Sequence, residues 1–114
     1  MKTKTALLLT GSLCFALAGL APAYAAVDEA AAQALAKKSD CFKCHAVDKV
    51  KQGPPFKKIA EKYKGKADGE AKIIKNLTTG PKVKLDDGTE EQHKIIDTKD
   101  PKELKNLADW ILSQ

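Results

Sequence analysis

The segment Cys41-Phe42-Lys43-Cys44-His45 constrains this chain more than any other feature of its sequence. Two thiols three positions apart, followed at once by an imidazole, suit few tasks. A disulfide closing so tight a loop is sterically poor outside a redox-motif setting. A thioredoxin-like pair requires a βαβ context, and the surrounding pattern reads as helical. A zinc site needs four ligands, and the neighbours Cys44 and His45 are awkward as joint ligands. Covalent haem attachment remains, for which C-x-x-C-H is the signature. The thiols add across two vinyl groups on one porphyrin edge, and the adjacent imidazole points a nitrogen at the iron.

The first 25 residues read as an export signal. Lys2 and Lys4 form a basic start, Ala6 to Ala21 an apolar run broken by Gly11, Ser12 and Gly19, and Ala23-Tyr24-Ala25 an A-x-A cleavage pattern. The run falls short of the roughly 20 residues needed to span a bilayer. Bulky Leu13 ahead of Cys14 argues against a lipoprotein signal. Cleavage before Ala26 is expected to leave a single domain, residues 26–114, in the periplasm with no membrane span. It also removes Met1, the only methionine, and Cys14. The mature inventory is then Cys41, Cys44, His45 and His93, with Phe42, Phe56, Tyr63 and Trp110 as its aromatics. Four aromatics make a thin core for a small domain, a shortage that a buried cofactor would relieve.

Four helices can be read. The first runs from about Asp28 to Lys43, with Asp28 and Glu29 in its first turn and Ala31, Ala34, Leu35 and Lys38 on one face. Gln52-Gly53-Pro54-Pro55 breaks the chain before a short helix from about Phe56 to Tyr63. A third runs from about Glu70 to Thr79 on Ile73, Ile74 and Leu77, and Gly80-Pro81 stops it. The last has Asp100 as N-cap, Pro101 at N1 and Glu103 at N3. Its stripe is Leu104, Leu107, Ala108 and Ile111, widened by Trp110 and Leu112. Between Gly80 and Lys99, Val83 and Leu85 alternate with lysines around Asp86-Asp87-Gly88, which suggests a hairpin. Thr89 followed by Gln92 would equally cap one helical turn, and the pattern leaves both open.

The chain resembles class I c-type cytochromes of the small bacterial c-551/c-552 kind. The resemblance rests on a helix ending in Cys41-Phe42-Lys43-Cys44-His45, on Gly53-Pro54, and on Leu107-Ala108-Asp109-Trp110-Ile111-Leu112-Ser113-Gln114. It implies an all-α fold of about four short helices around one covalent haem c, with the terminal helices crossing. It also implies that the Pro54 carbonyl accepts from His45 Nδ1–H, a contact that fixes the ring and strengthens the ligand.

That family supplies a methionine as sixth iron ligand from a loop before the last helix, and residues 26–114 contain none. His93, in that loop, is the leading substitute. Lys82, Lys84 and Lys94 come next, and a vacant or water-filled position third. Thioether sulfur raises the potential, so a bis-histidine haem is expected to have a lower one than a Met/His relative. Residues 80–101 also resemble Nax-type small cytochromes, which pair two similar monohaem subunits and use a Cys as distal ligand. This sequence has His93 at that place. The resemblance implies a homologous subunit as partner, in a heterodimer or homodimer, and an alternative role in binding or sensing NO or CO through a displaceable His93.

The formal charge is +5 from 20 lysines and 15 acids, with no arginine. The lysines are interleaved with acids and read mostly as a solvated face. A local lysine cluster would steer an acidic redox protein. With export, no arginine and no recognition motif, nucleic acid is not indicated as a partner. An enzymatic role, such as a peroxidase, is not expected: beyond the ligands no histidine remains, and no arginine is present to stabilise a separating oxygen charge. The expectation is an electron carrier.

Overall fold

Helix α1 (Glu29–Lys38) starts where the Asp28 carboxylate accepts from Ala31 N–H at 3.0 Å. Residues 26–114 are described in this computed structural model; the export signal read at residues 1–25 lies outside them. The same Asp28 is tied to the far end of the chain. Its N–H donates to Asn106 Oδ1 and its carbonyl accepts from Asn106 Nδ2, both at 2.8 Å. Helix α1 therefore docks on α5 (Pro101–Leu112) in a fixed register.

A four-residue helix, α2 (Cys41–Cys44), carries the thiols. The loop after His45 folds back so that the Ala46 and Val47 carbonyls accept from Phe56 and Lys57 N–H at 2.8 and 3.0 Å. These satisfy orphan donors at the start of α3 (Phe56–Tyr63). Helix α4 (Gly69–Thr79) ends at Gly80, whose φ of +57° is the left-handed conformation that closes many helices. A Cβ there would sit 2.7 Å from the His93 carbonyl oxygen and 2.9 Å from Ile95 Cγ1, so glycine lets the segment after the hairpin, His93 to Ile95, lie against the helix end. Ile96 N–H reaches back to Leu77 O at 2.9 Å.

Strands β1 (Lys82–Lys84) and β2 (Glu90–Gln92) pair antiparallel, with Lys82 opposite Gln92, Val83 opposite Glu91 and Lys84 opposite Glu90. The ladder continues through Leu85 N–H to Thr89 O and His93 N–H to Pro81 O. The tip is tied down where Asp86 N–H donates to Gln52 O at 2.9 Å.

One core holds these elements. Ala32, Leu35 and Ala36 of α1, Ile73 and Leu77 of α4, and Leu104, Leu107, Ala108, Trp110 and Ile111 of α5 are buried together with Phe56 and Ile96. Helix α5 is its axis, packing against α1, α3 and α4. Small residues on α1 and α5 let the two terminal helices approach closely. No helix among the described residues is long and apolar enough to cross a membrane.

Several expectations are corrected. The first helix stops at Lys38, not Lys43, because Asp40 takes φ +60° and redirects the chain. Its buried face is Ala32, Leu35 and Ala36, while Ala31, Ala34 and Lys38 are exposed. In a run this rich in alanine, periodicity does not decide the face; the Asp28–Asn106 contact does. The all-α expectation holds for the helices, five among the described residues, with a two-stranded hairpin added to them. Thr89 does not cap a helical turn: its N–H and hydroxyl both donate to Asp87 Oδ1, at 2.9 and 2.6 Å, inside the hairpin turn. Asp100 caps α5 by accepting from Lys102 N–H at 2.9 Å, but Glu103 does not return to the cap. Its carboxylate accepts instead from the Thr98 hydroxyl, which in turn accepts from Asp100 N–H.

Candidate functional site

A cavity of about 1120 Å³ opens between α2, α3, α4 and the hairpin strap. That is slightly above the roughly 300–1,000 Å³ usual for small-molecule sites. Its walls include Ala36, Phe56, Ile59, Ile73, Leu77, Leu107 and Ile111, and its rim carries Lys43, Lys58, Lys62, Lys84 and Lys94 against Asp40 and Glu91. Cys41, Cys44, His45, Pro54 and His93 all line it. Of the alternative ligand candidates, Lys84 and Lys94 line the cavity and Lys82 does not.

The thiols of Cys41 and Cys44 are free and half-buried. Burial pushes the Cys41 thiol up from its ordinary value, so it stays protonated at neutral pH. Cys44 Sγ lies 3.3 Å from Gln52 Oε1. Among the described residues no three His, Cys, Asp or Glu side chains converge as metal ligands.

His45 is held from three sides. Its Nδ1 lies 2.6 Å from Pro54 O. The buried Phe56 ring stacks on it, with centroids 5.3 Å apart and planes at 23°. Gly53 closes the third side: a Cβ there would lie 2.9 Å from His45 Cε1 and 3.2 Å from its Nδ1. Gly53 N–H donates to Cys44 O at 2.8 Å. Burial lowers the His45 pKa, opposed by the Pro54 carbonyl and reinforced by His93. The ring is therefore neutral at pH 7, the form that binds metal.

His93 faces it across the cavity. The two ring centroids are 6.2 Å apart with planes at 47°. His93 Nδ1 lies 2.9 Å from Lys94 O. Each imidazole thus has its Nδ1 against a backbone carbonyl, which selects the Nδ1–H tautomer and leaves Nε2 as the lone-pair nitrogen.

A protein-family model for cytochrome c matches residues 29–114. The chain belongs to the cytochrome c family. Among curated relatives it is 35% identical over 79 residues to cytochrome c-551 of Pseudomonas denitrificans, covering 69% of this chain and 92% of the relative. It is 34% identical over 90 residues to cytochrome c-552 of Nitrosomonas europaea, covering 69% and 74%. Among solved structures it is similar to the class 1 cytochrome MtoD of Sideroxydans lithotrophicus ES-1, with 60% identity, a TM-score of 0.73 and coverage of 77% of this chain and 97% of that one. The wild-type Nitrosomonas europaea cytochrome c552 structure aligns at 31% identity and a TM-score of 0.58, covering 71% and 96%. The chain is accordingly a monohaem electron carrier and not an enzyme, with one covalent haem c as cofactor.

The residues present fit that group. Two free thiols and a neutral imidazole line an apolar cavity, and the rim is richer in lysine than in acid, which suits the carboxylates of a haem. His45 and His93 line the same cavity with ring centroids 6.2 Å apart, so both imidazoles are near enough to be candidate ligands. Sequence reasoning missed the stacking of Phe56 on His45 and the contacts of Asp40. Neither residue carries a motif, and only the fold brings them to the site.

Proposed function

We propose that this cytochrome is an exported, periplasmic electron carrier whose iron is held by His45 and His93. Cys41 and Cys44 supply the two thioether bonds, and the Pro54 carbonyl orients His45. One observation carries the reading: the two imidazoles face each other at 6.2 Å, each with its Nδ1 on a backbone carbonyl. The lack of methionine in residues 26–114 supports it independently.

When bound, the haem supplies a ferric/ferrous couple. The chain's own residues set its character. Two imidazoles donate more strongly than an imidazole and a thioether, which favours a lower potential than in Met/His relatives. Phe56, Pro54 and Gly53 hold His45 in one orientation, so little rearrangement accompanies oxidation or reduction. The apolar walls would shield a haem held among them from water. Lys43, Lys84 and Lys94 on the rim suit docking with an acidic redox protein.

Optical and electron paramagnetic resonance spectra of the purified holoprotein test the reading. The expected result is a low-spin ferric haem whose ferrous form does not change when carbon monoxide is added, and a His93→Ala variant that becomes high-spin. An unchanged His93→Ala spectrum overturns His93 as ligand. Rapid conversion of the wild type by carbon monoxide overturns the closed carrier and favours gas binding at a displaceable His93.

A further inference from the structure

The segment that carries His93 is stitched to the segment that precedes the thiols, and nothing in the chemistry of ligation requires this. Asp40, immediately before Cys41, hydrogen-bonds and ion-pairs with Lys94, immediately after His93. The neighbouring residues repeat the link. Ser39 Oγ accepts from Asp97 N–H at 3.1 Å, and Lys38 pairs with Asp97 at 3.3 Å. Ser39 is 2% exposed, so its contact is buried even though the ion pairs are not. Asp40 reaches this position only because it takes φ +60°, a conformation that costs energy for any residue except glycine but is tolerated by Asp and Asn. The same carboxylate also holds Lys43 at 3.2 Å. Both ends of the link thus sit one residue from a group that holds the haem.

We propose that the Asp40–Lys94 pair is a clasp that positions His93 and slows its release from the iron. Asp40 is a positioning residue: it touches neither cofactor nor iron and acts through Lys94. This rests on His93 ligation as set out above. For His93 to leave, the strap between Gln92 and Asp97 must swing away from the cavity. Gln92 is tied to Gly80 O through its side chain, and Ile96 N–H to Leu77 O. The stretch between them, His93 to Ile95, has the Asp40–Lys94 pair as its link to the attachment segment. Ile95 is 56% exposed, so apolar burial adds little restraint there. His93 N–H is also held by Pro81 O at 2.8 Å, so opening the clasp loosens the strap from Lys94 onward while that backbone bond remains.

The test is ligand exchange on the holoprotein. Imidazole is added in saturating amount, so that its rate of binding to the ferric form is limited by departure of the native ligand. Asp40→Asn keeps a residue that tolerates positive φ while removing the charge, and Lys94→Gln removes the charge from the other side without touching the attachment segment. Each is expected to raise the exchange rate about three- to fivefold, the factor that one exposed pair supports, while the low-spin spectrum stays that of the wild type. The double variant is expected to exchange no faster than either single one. Lys72→Gln, which removes one remote charge paired with Asp68, is expected to keep the wild-type rate. A low-spin wild type whose Asp40→Asn and Lys94→Gln variants exchange at the wild-type rate overturns the clasp and leaves the ligation intact. Additive effects in the double variant, or an equal effect of Lys72→Gln, also overturn it. A wild type without the low-spin spectrum overturns the ligation itself, and the clasp with it.

Discussion

Replacing Gly53 by alanine places a single methyl group against the ring of His45. The new Cβ would sit 2.9 Å from Cε1, 3.2 Å from Nδ1 and 3.3 Å from the Cys44 carbonyl oxygen. The first contact is about 0.6 Å inside the optimal carbon–carbon separation of about 3.5 Å. The ring cannot simply retreat, because Phe56 stacks on it. Overpacking of this kind costs about 1–3 kcal/mol. Displacing Nδ1 from Pro54 O, now 2.6 Å away, forfeits a hydrogen bond worth about 0.5–1.5 kcal/mol. Together these give a loss of about 2–4 kcal/mol, or roughly 10–30 °C in Tm for a domain of this size. Weakening the Nδ1–H···O bond also makes the imidazole a poorer donor, so the ferric state loses stabilisation and the midpoint potential rises. Thermal unfolding followed by circular dichroism, with a redox titration on the same samples, measures both. A Gly53→Ala protein with Tm within about 2 °C of the wild type and the same potential would refute the reasoning.

Two further outcomes follow from the core and the clasp. Leu107 is fully buried at 0% exposure where α5 meets the core, so Leu107→Ala is expected to lose about 2–5 kcal/mol in denaturant unfolding; a loss under about 1 kcal/mol would show that the site collapses around the gap. Hydrogen bonds from Lys94 and then Lys43 lower the Asp40 pKa below the ordinary 3.8. A lowered folded-state value means that its stabilisation is fully present above 3.8 and is lost as pH falls through that lower value. The Tm difference between wild type and Asp40→Asn is therefore expected to be constant from pH 5 to 8 and to shrink only in strong acid; a difference that varies across neutral pH would contradict it.

What the chain announced, it announced through local chemistry. Helix α5 was readable because Asp100, Pro101 and the Leu104–Ile111 stripe act within one or two turns. Gly80 marked the end of α4 for the same reason. The attachment residues stand out by spacing, and His93 by being the one histidine left over. The rest depends on contacts across the sequence. The face of α1 is chosen by Asn106, 78 positions away from Asp28. The break at Ser39-Asp40 is set by Asp97 and Lys94, and nothing in the local sequence separates that Asp from an ordinary helical one. The hairpin was ambiguous because Thr89 serves a turn and a helix cap equally well until Asp87 claims its hydroxyl. Phe56 reads as a core residue, which it is; its second role against His45 exists only once the loop has folded back.

The hydrogen bonds between Asp28 and Asn106 bear on the order in which this molecule can be made. A chain that emerges from its N-terminus cannot seat α1 until nearly the last helix exists, and closing so long a loop carries an entropic cost that local contacts do not repay. Until then α2, only four residues long, has no support of its own. The segment carrying Cys41 and Cys44 is therefore expected to gain its support late in folding, once α5 is in place to hold the α1 on which α2 packs.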